Sequence, residues 1–200
     1  MPILRFLTHP QVRIFADIAV PRWGLSDVGR QRAEGCLRQP WLASTTRLLS
    51  SGETKALETA AIIAAATGLA IEVREQFHEN DRSSTGFVPP DRFELLADAF
   101  FAQPNESIEG WETGHDAQQR IIAATADLLL SPANGDILVV GHGAVGTLLL
   151  CDLLAMPISR DEDQTGGHSA PGGGNYWSYD LTEQRVLHRW QPIDAIVAGT

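Results

Sequence analysis

Short apolar runs and longer segments with helical periodicity alternate along the chain. Runs typical of buried strands occupy residues 3–7, 46–49, Ile71–Val73 and 136–141, and the last is continuous enough for a strand covered on both faces. Apolar residues recur at helical spacing in the segments 26–38, 50–68, 92–101, 116–130 and 144–155. This alternation predicts an α/β fold, a three-layer α/β/α sandwich around a mostly parallel central sheet.

The ends of several predicted elements carry specific signals. Ser26 is placed to cap the first helix. Ser50 and Glu53 have the spacing of a capping box before the second helix, and Gly68 suits its end. Residues 175–190 divide into two strand-like pieces about a turn, which predicts a terminal hairpin.

Composition limits the class of protein. Two hundred residues, 44% of them hydrophobic, suit a single domain over residues 1–200. The longest apolar stretches are too short for a membrane span, and no signal-peptide pattern is present, so we expect a cytoplasmic protein without membrane contact. Cys36 and Cys151 lie in helical patterns and are expected to be free, buried thiols.

Charge and aromatic content bear on the partner. A formal charge of −10 disfavours nucleic acid, because a surface that follows phosphates needs a basic excess. Trp111, Trp177 and Trp190 are expected to pack in the core or at its rim rather than to bind a ligand. We therefore expect a small molecule as the partner.

Polar residues follow three of the predicted strands directly. His9 follows the first strand, and His142 follows the strand at 136–141. Ser51 and Lys55 come just after the second strand. A single histidine in such a place is most often an ordinary loop residue, but ligands bind beyond the carboxyl ends of strands in open α/β sheets. The sequence therefore predicts that these three segments meet in one crevice.

Five short segments appear in a specific order: THP at 8–10, GLSDVGRQRA at 24–33, SSGETKALETA at 50–60, FHENDRSSTG at 77–86 and VVGHGAVG at 139–146. This order resembles the histidine phosphatase superfamily, the phosphoglycerate mutase-like fold, over nearly the whole chain. The resemblance implies that His9 is the nucleophile, Glu79 the proton donor and His142 the second histidine of the pocket. It also implies a phosphate-binding role for Gly143 and no need for a metal or a cofactor.

The sequence departs from the family pattern at two positions that bind phosphate. Thr8 and Lys55 stand where family members have arginine. Lysine keeps the charge without the planar fork that holds two phosphoryl oxygens, and threonine keeps only a hydroxyl. We expect Thr8 and Lys55 to contribute to a phosphate site that Arg13 completes, with Arg22 and Arg82 as further candidates.

The residues also support this chemistry without the family name. A neutral imidazole can attack phosphorus in line if its other ring nitrogen donates to a carbonyl, and the phosphoryl oxygens need an electropositive cradle. Glu79 is our candidate acid, with Glu53, Glu75 and Asp81 as rival carboxylates.

Three function classes stay open on this evidence. The first is a metal-independent phosphomonoesterase, or less favourably a mutase, that acts on a small phosphorylated metabolite through a phosphohistidine on His9. The second is a catalytically degenerate phosphate-ligand binder of the same fold, because both family arginines are replaced. A metal hydrolase ranks last, since no H-x-H or H-E-x-x-H spacing occurs. The sequence is also compatible with a homodimer.

Overall fold

Six strands form one mixed sheet at the centre of the computed structural model, which describes residues 1–130, 134–166 and 168–195. The strands are β1 (Ile3–Thr8), β2 (Thr45–Ser50), β3 (Ile71–Val73), β4 (Asp136–Gly141), β5 (Asn175–Asp180) and β6 (Arg185–Pro192). Their order across the sheet is β3-β2-β4-β1-β5-β6. The first four in this order are parallel, and β5 and β6 add an antiparallel hairpin at one side.

The described residues form five α-helices, four of which cover the sheet. They are α1 (Asp27–Gly35), α2 (Thr54–Thr67), α3 (Pro90–Ala102), α4 (Gly114–Leu130) and α5 (Gly143–Leu153). Helices α1 and α2 lie over one face and α4 and α5 lie over the other, whereas α3 packs on Trp111 and α4. The predicted α/β sandwich and the terminal hairpin are confirmed. No helix in the described ranges has both the length and the apolar character that a membrane crossing requires.

The central strand β4 shows why the sheet is buried on both sides. All six of its residues are buried between β1 and β2. Val139 packs with Phe6 in the cluster beneath α4 and α5, whereas Val140 packs with Leu7 in the cluster beneath α1 and α2. Successive side chains point to opposite faces, so a continuous apolar run supplies both cores.

Most predicted helix ends agree with the structure, but one does not. Ser26 caps α1, since its side chain accepts from Gly29 N at 3.0 Å, and Gly68 ends α2 with a φ of 74°. The predicted capping box of Ser50 and Glu53 is wrong. Glu53 is itself the residue that precedes α2, and the Ser50 hydroxyl donates to the Ser51 carbonyl at 2.9 Å.

Candidate active site

The carboxyl ends of β1, β4 and β2 bring the predicted residues together. The backbone N–H of His9 donates to Gly141 O at 3.1 Å, and that of Ser51 donates to Val140 O at 3.0 Å. The rings of His9 and His142 lie 5.2 Å apart between centroids, at an angle of 69°. The crevice that the sequence predicts is therefore present, with the two histidines side by side.

The ring of His9 has a defined orientation. Its Nδ1 lies 2.8 Å from the carbonyl oxygen of Pro10, which can only accept a hydrogen bond, so Nδ1 carries the proton in the neutral ring. Burial and the charge of Lys55 lower the pKa of His9 to about 4, against the opposing effects of Pro10 and Glu53. At neutral pH the ring is uncharged, and Nε2 keeps its lone pair.

His142 is fully buried at the start of α5. Its Nε2 lies 2.8 Å from Ser51 Oγ and 3.5 Å from Glu53 Oε1. Burial lowers the pKa of His142 well below its ordinary value despite the nearby Glu53 carboxylate. Within the described residues its Nδ1 has no hydrogen-bond partner. A buried ring nitrogen beside His9 is therefore left for a bound molecule.

Glu79 faces the start of α5 rather than bulk solvent. Its carboxylate accepts from Ala144 N and Val145 N, each at 3.1 Å, and from Asn80 N at 3.1 Å. Burial raises the pKa of Glu79 above its ordinary value, against the charge of Arg82 and the two helix N–H groups. A half-buried carboxyl whose pKa is raised toward neutrality has the property that a general acid needs.

Lys55 is buried beside the histidines, but another residue compensates its charge. Its Nζ donates to Val20 O at 3.0 Å and forms an ion pair with Glu53 Oε2. Burial opposes ionisation of Glu53, but His142 and Lys55 together lower its pKa to about 2. Because His142 is neutral, Lys55 is the charged partner. Lys55, which stands where the resemblance places an arginine, is therefore one member of a buried ion pair in this site.

Thr8 is buried and uses its hydroxyl inside the protein. The hydroxyl donates to Gln164 Oε1 at 2.7 Å and accepts from Asn175 N at 3.1 Å. Gln164 also limits the space at Gly143, where an added Cβ would lie 2.5 Å from its amide nitrogen. Sequence reasoning did not find Gln164, because it lies 156 residues from Thr8 and belongs to no motif.

The structure does not bring Arg13 to this crevice. Its guanidinium lies 3.3 Å from Asp27 Oδ1, and its side chain is 56% exposed. The physical reason is chain direction: Val12 pairs with Leu25 in an isolated bridge and lines the cavity, so the next side chain along the extended segment points away. Arg22 is exposed and is not among the residues that line the cavity.

Among the cations that the sequence predicts for the site, Arg82 is the one that lines the cavity beside His9. Its guanidinium carbon lies 4.9 Å from the ring centroid of Phe93 and 5.6 Å from that of Trp111. Among the described residues it forms no ion pair. Stacking on two aromatic faces holds the group without neutralising it, so its charge is available to a ligand.

Two of the rival carboxylates lie at the surface. Glu75 and Asp81 are exposed, and hydrogen bonds from Ser83 lower the pKa of Asp81. Glu53 is the third, and its pair with Lys55 keeps it ionised. Glu79 is therefore the carboxyl in this crevice whose pKa is raised.

A cavity of about 360 Å³ opens from His9 and Glu79. Its walls come from the loop before α1, from α3 and from the segment around Trp111. Trp111 packs in the core, as predicted, with 3% exposure, but it also lines this cavity. In the described residues no group of three His, Cys, Asp or Glu side chains could hold a metal ion.

Comparisons with known protein families and structures point to the same class of protein as the geometry of this site. A family model of the histidine phosphatase superfamily, branch 1, matches residues 19–168. The chain belongs to this superfamily. A search of curated proteins finds no match to the sequence.

Solved structures share the fold over almost the entire chain. The mycobacterial glucosyl-3-phosphoglycerate phosphatase with inorganic phosphate is 18% identical, with a TM-score of 0.76 over 98% of this chain and 100% of that one. YhfR of Bacillus stearothermophilus is 19% identical, with a TM-score of 0.77 over 98% of each chain. The phosphoserine phosphatase of Entamoeba histolytica, in complex with 3-phosphoglyceric acid, is 15% identical, with a TM-score of 0.73 over 96% of this chain and 97% of that one.

Proposed function

We propose that this protein is a metal-independent phosphomonoesterase that acts on a small phosphorylated metabolite through a phosphohistidine on His9. The observation that carries the proposal is the fixed tautomer of His9. Its Nδ1–H is held by the carbonyl of Pro10, and its Nε2 is unprotonated in a crevice that also contains Glu79. Membership of the histidine phosphatase superfamily and the phosphatase structures that share the fold support the same reaction class.

In the first step, His9 Nε2 attacks phosphorus and forms the P–N bond while the P–O bond to the leaving group breaks. Glu79 transfers its proton to the departing alkoxide, which leaves as an alcohol. In the second step, Glu79 takes a proton from water, and the resulting hydroxide attacks phosphorus. The P–N bond breaks, inorganic phosphate is released, and His9 and Glu79 return to their starting states.

The charge on the phosphoryl oxygens needs compensation during both steps. Lys55 and Arg82 supply it in this proposal, together with the N–H of Gly143 at the start of α5. Thr8 orients the site through Gln164, since its hydroxyl is already engaged. Arg13 has no part in this cradle because it pairs with Asp27 outside the crevice.

The test is turnover of a phosphate monoester in the presence of a chelator. We expect activity that survives the chelator, is lost in His9→Ala and is reduced at least about 100-fold in Glu79→Gln. Rapid acid-free quenching followed by mass spectrometry should detect a phosphoryl group on His9. Activity that persists in His9→Ala would contradict the mechanism.

A second candidate function is phosphate-ligand binding without turnover. The observation that favours it is the buried ion pair of Lys55 with Glu53, because among the predicted cations only Arg82 both lines the cavity and lacks an ion-pair partner in the described residues. In that case wild-type protein and His9→Ala bind vanadate, and neither releases phosphate from any ester.

A further inference from the structure

The cavity beside His9 has a largely apolar wall. Six aromatic side chains contribute to it: Trp23, Phe87, Phe93, Phe100, Phe101 and Trp111. They contact one another, since the ring centroids of Trp23 and Phe87 lie 5.8 Å apart and those of Phe93 and Trp111 lie 6.1 Å apart. The wall therefore consists of two packed aromatic groups, the pair of Trp23 with Phe87 and the cluster around Trp111, rather than of isolated rings.

The polar atoms of the two tryptophans are already used inside the protein. Trp111 Nε1 donates to Thr85 Oγ1 at 2.9 Å. Trp23 Nε1 donates to the carbonyl oxygens of Phe15 and Ile18, each at 2.9 Å. The indoles therefore have no N–H to offer to a ligand, and they contribute apolar surface to the cavity.

The charged residues of the same cavity do not favour an acidic leaving group. Arg160 lines it, but its guanidinium is paired with Glu94 and Asp98. Asp163 adds a carboxylate to the lining that no ion pair in the described residues compensates. Arg82 is left for the phosphoryl group. A carboxylate elsewhere on the substrate would therefore lie near carboxylates of the protein, and the described lining has no further free cation to compensate it.

We propose that the substrate is the phosphate monoester of an uncharged, bulky apolar alcohol, with the apolar group held between α3 and the loop before α1. This proposal rests on the function proposed above and names its substrate class. The volume of about 360 Å³ accommodates a group of one or two fused rings. Arg82, stacked on Phe93 and Trp111, lies where the phosphoryl end meets the apolar end.

Three esters of primary alcohols test the proposal: 2-phenylethyl phosphate, glycerol 1-phosphate and phosphoserine. All three release a primary alkoxide, and the polar substituents of glycerol and serine make those two the better leaving groups, so leaving-group acidity alone would favour the opposite order. We expect kcat/KM for 2-phenylethyl phosphate to exceed that of the other two at least about tenfold. Phe87→Ala should reduce this preference at least about threefold. Trp41→Ala is the matched control, because Trp41 packs against Tyr176 and does not line the cavity.

Equal or reversed preference in the wild-type protein would overturn the proposal, although turnover itself would still support the proposed phosphatase. If no ester is turned over, the phosphatase proposal fails, and calorimetric binding of two phosphonates decides the substrate class. Naphthalen-1-ylmethylphosphonate should then bind at least about tenfold more tightly than 3-phosphonopropionate, and equal affinity would overturn the inference. The wild-type comparisons keep this test valid even where Phe87→Ala fails to fold.

Discussion

The buried pair of Lys55 and Glu53 makes a prediction in which stability and anion binding change in opposite directions. Glu53→Gln keeps the shape of the side chain and retains one oxygen that can accept from Glu79 N, as Glu53 Oε1 does at 2.9 Å. It removes the charge that Lys55 faces. We therefore expect the variant to be less stable than the wild-type protein but to bind phosphate or vanadate more tightly.

The loss of stability follows from the ionisation of Glu53. Folding lowers the pKa of Glu53 from 4.5 to about 2, which corresponds to about 3 kcal/mol of stability to which both His142 and Lys55 contribute. Removal of one member of a buried ion pair has a cost of the same order. Because the pKa is lowered in the folded state, this contribution is complete above pH 4.5 and disappears as pH falls through about 2.

The gain in affinity follows from the freed ammonium group. One additional charge-assisted hydrogen bond to a phosphate oxygen corresponds to about tenfold in affinity. Denaturant unfolding at pH 7 and at pH 3 measures the first effect, and isothermal titration with vanadate measures the second. The deficit in stability should shrink at pH 3, where part of the wild-type contribution is already lost.

Glu58→Gln, in the helix that Glu53 precedes, is the matched control. Glu58 pairs with Arg30 at 2.9 Å, but both side chains are partly exposed, so the substitution should cost about 1 kcal/mol or less and leave vanadate affinity unchanged. Equal stability of the two variants, together with unchanged or weaker vanadate binding in Glu53→Gln, would refute the reasoning.

Three further predictions concern pH dependence, the second cation and packing. Activity measured as kcat/KM should fall below about pH 4 as His9 takes up a proton and should fall at higher pH as Glu79 loses one; Glu79→Gln should lack the second decline, and an unchanged profile would contradict the acid role. Arg82→Gln should weaken vanadate binding about tenfold in titration calorimetry, whereas Arg13→Gln should leave it unchanged, and the opposite order would return Arg13 to the cradle. Gly146→Ala should lower the free energy of unfolding by about 1 to 3 kcal/mol, because the added carbon would lie 2.6 Å from the ring of Phe6, and equal stability to wild type would contradict this contact.

The positions of both histidines could be predicted because they depend on local signals. His142 follows a continuous apolar run, which becomes the fully buried strand β4, and His9 follows a shorter run that pairs with it. Parallel pairing then places both carboxyl ends at one edge of the sheet. Nothing beyond strand recognition and the rule for parallel sheets is needed for this part of the site.

The ionic partners in the site could not be read in the same way. Lys55 and Glu53 are two residues apart, and only the folded loop shows that the carboxylate turns back to the ammonium group. Arg13 lies in an irregular segment with no periodicity, so its direction is set by the single bridge between Val12 and Leu25. Sequence distance and charge alone therefore predicted that Arg13 faces the crevice, whereas its side chain points to the other side of this segment.

The aromatic cavity escaped prediction for a different reason. Phe93 and Phe100 fit the helical period of α3, and a periodic apolar stripe predicts packing without saying whether a ligand shares the surface. Trp111 likewise has little exposure and also borders the cavity. A cavity is a space that several elements leave between them, so no single segment encodes it.

Glu53 connects the groups on which the two candidate functions depend. Its Oε1 accepts from the backbone of Glu79 and lies 3.5 Å from His142, while its Oε2 pairs with Lys55. A bound phosphoryl group competes with this carboxylate for Lys55, and the dianion carries the larger charge. Lys55 can donate to both the carboxylate and the phosphate if it gives up its hydrogen bond to the carbonyl oxygen of Val20. That oxygen lies 3.0 Å from Nζ and, being uncharged, is the weaker partner. In the proposed mechanism, catalysis requires Lys55 to be shared between Glu53 and the phosphate, whereas exclusive pairing with Glu53 leaves a site in which Arg82 and the N–H of Gly143 bind the anion.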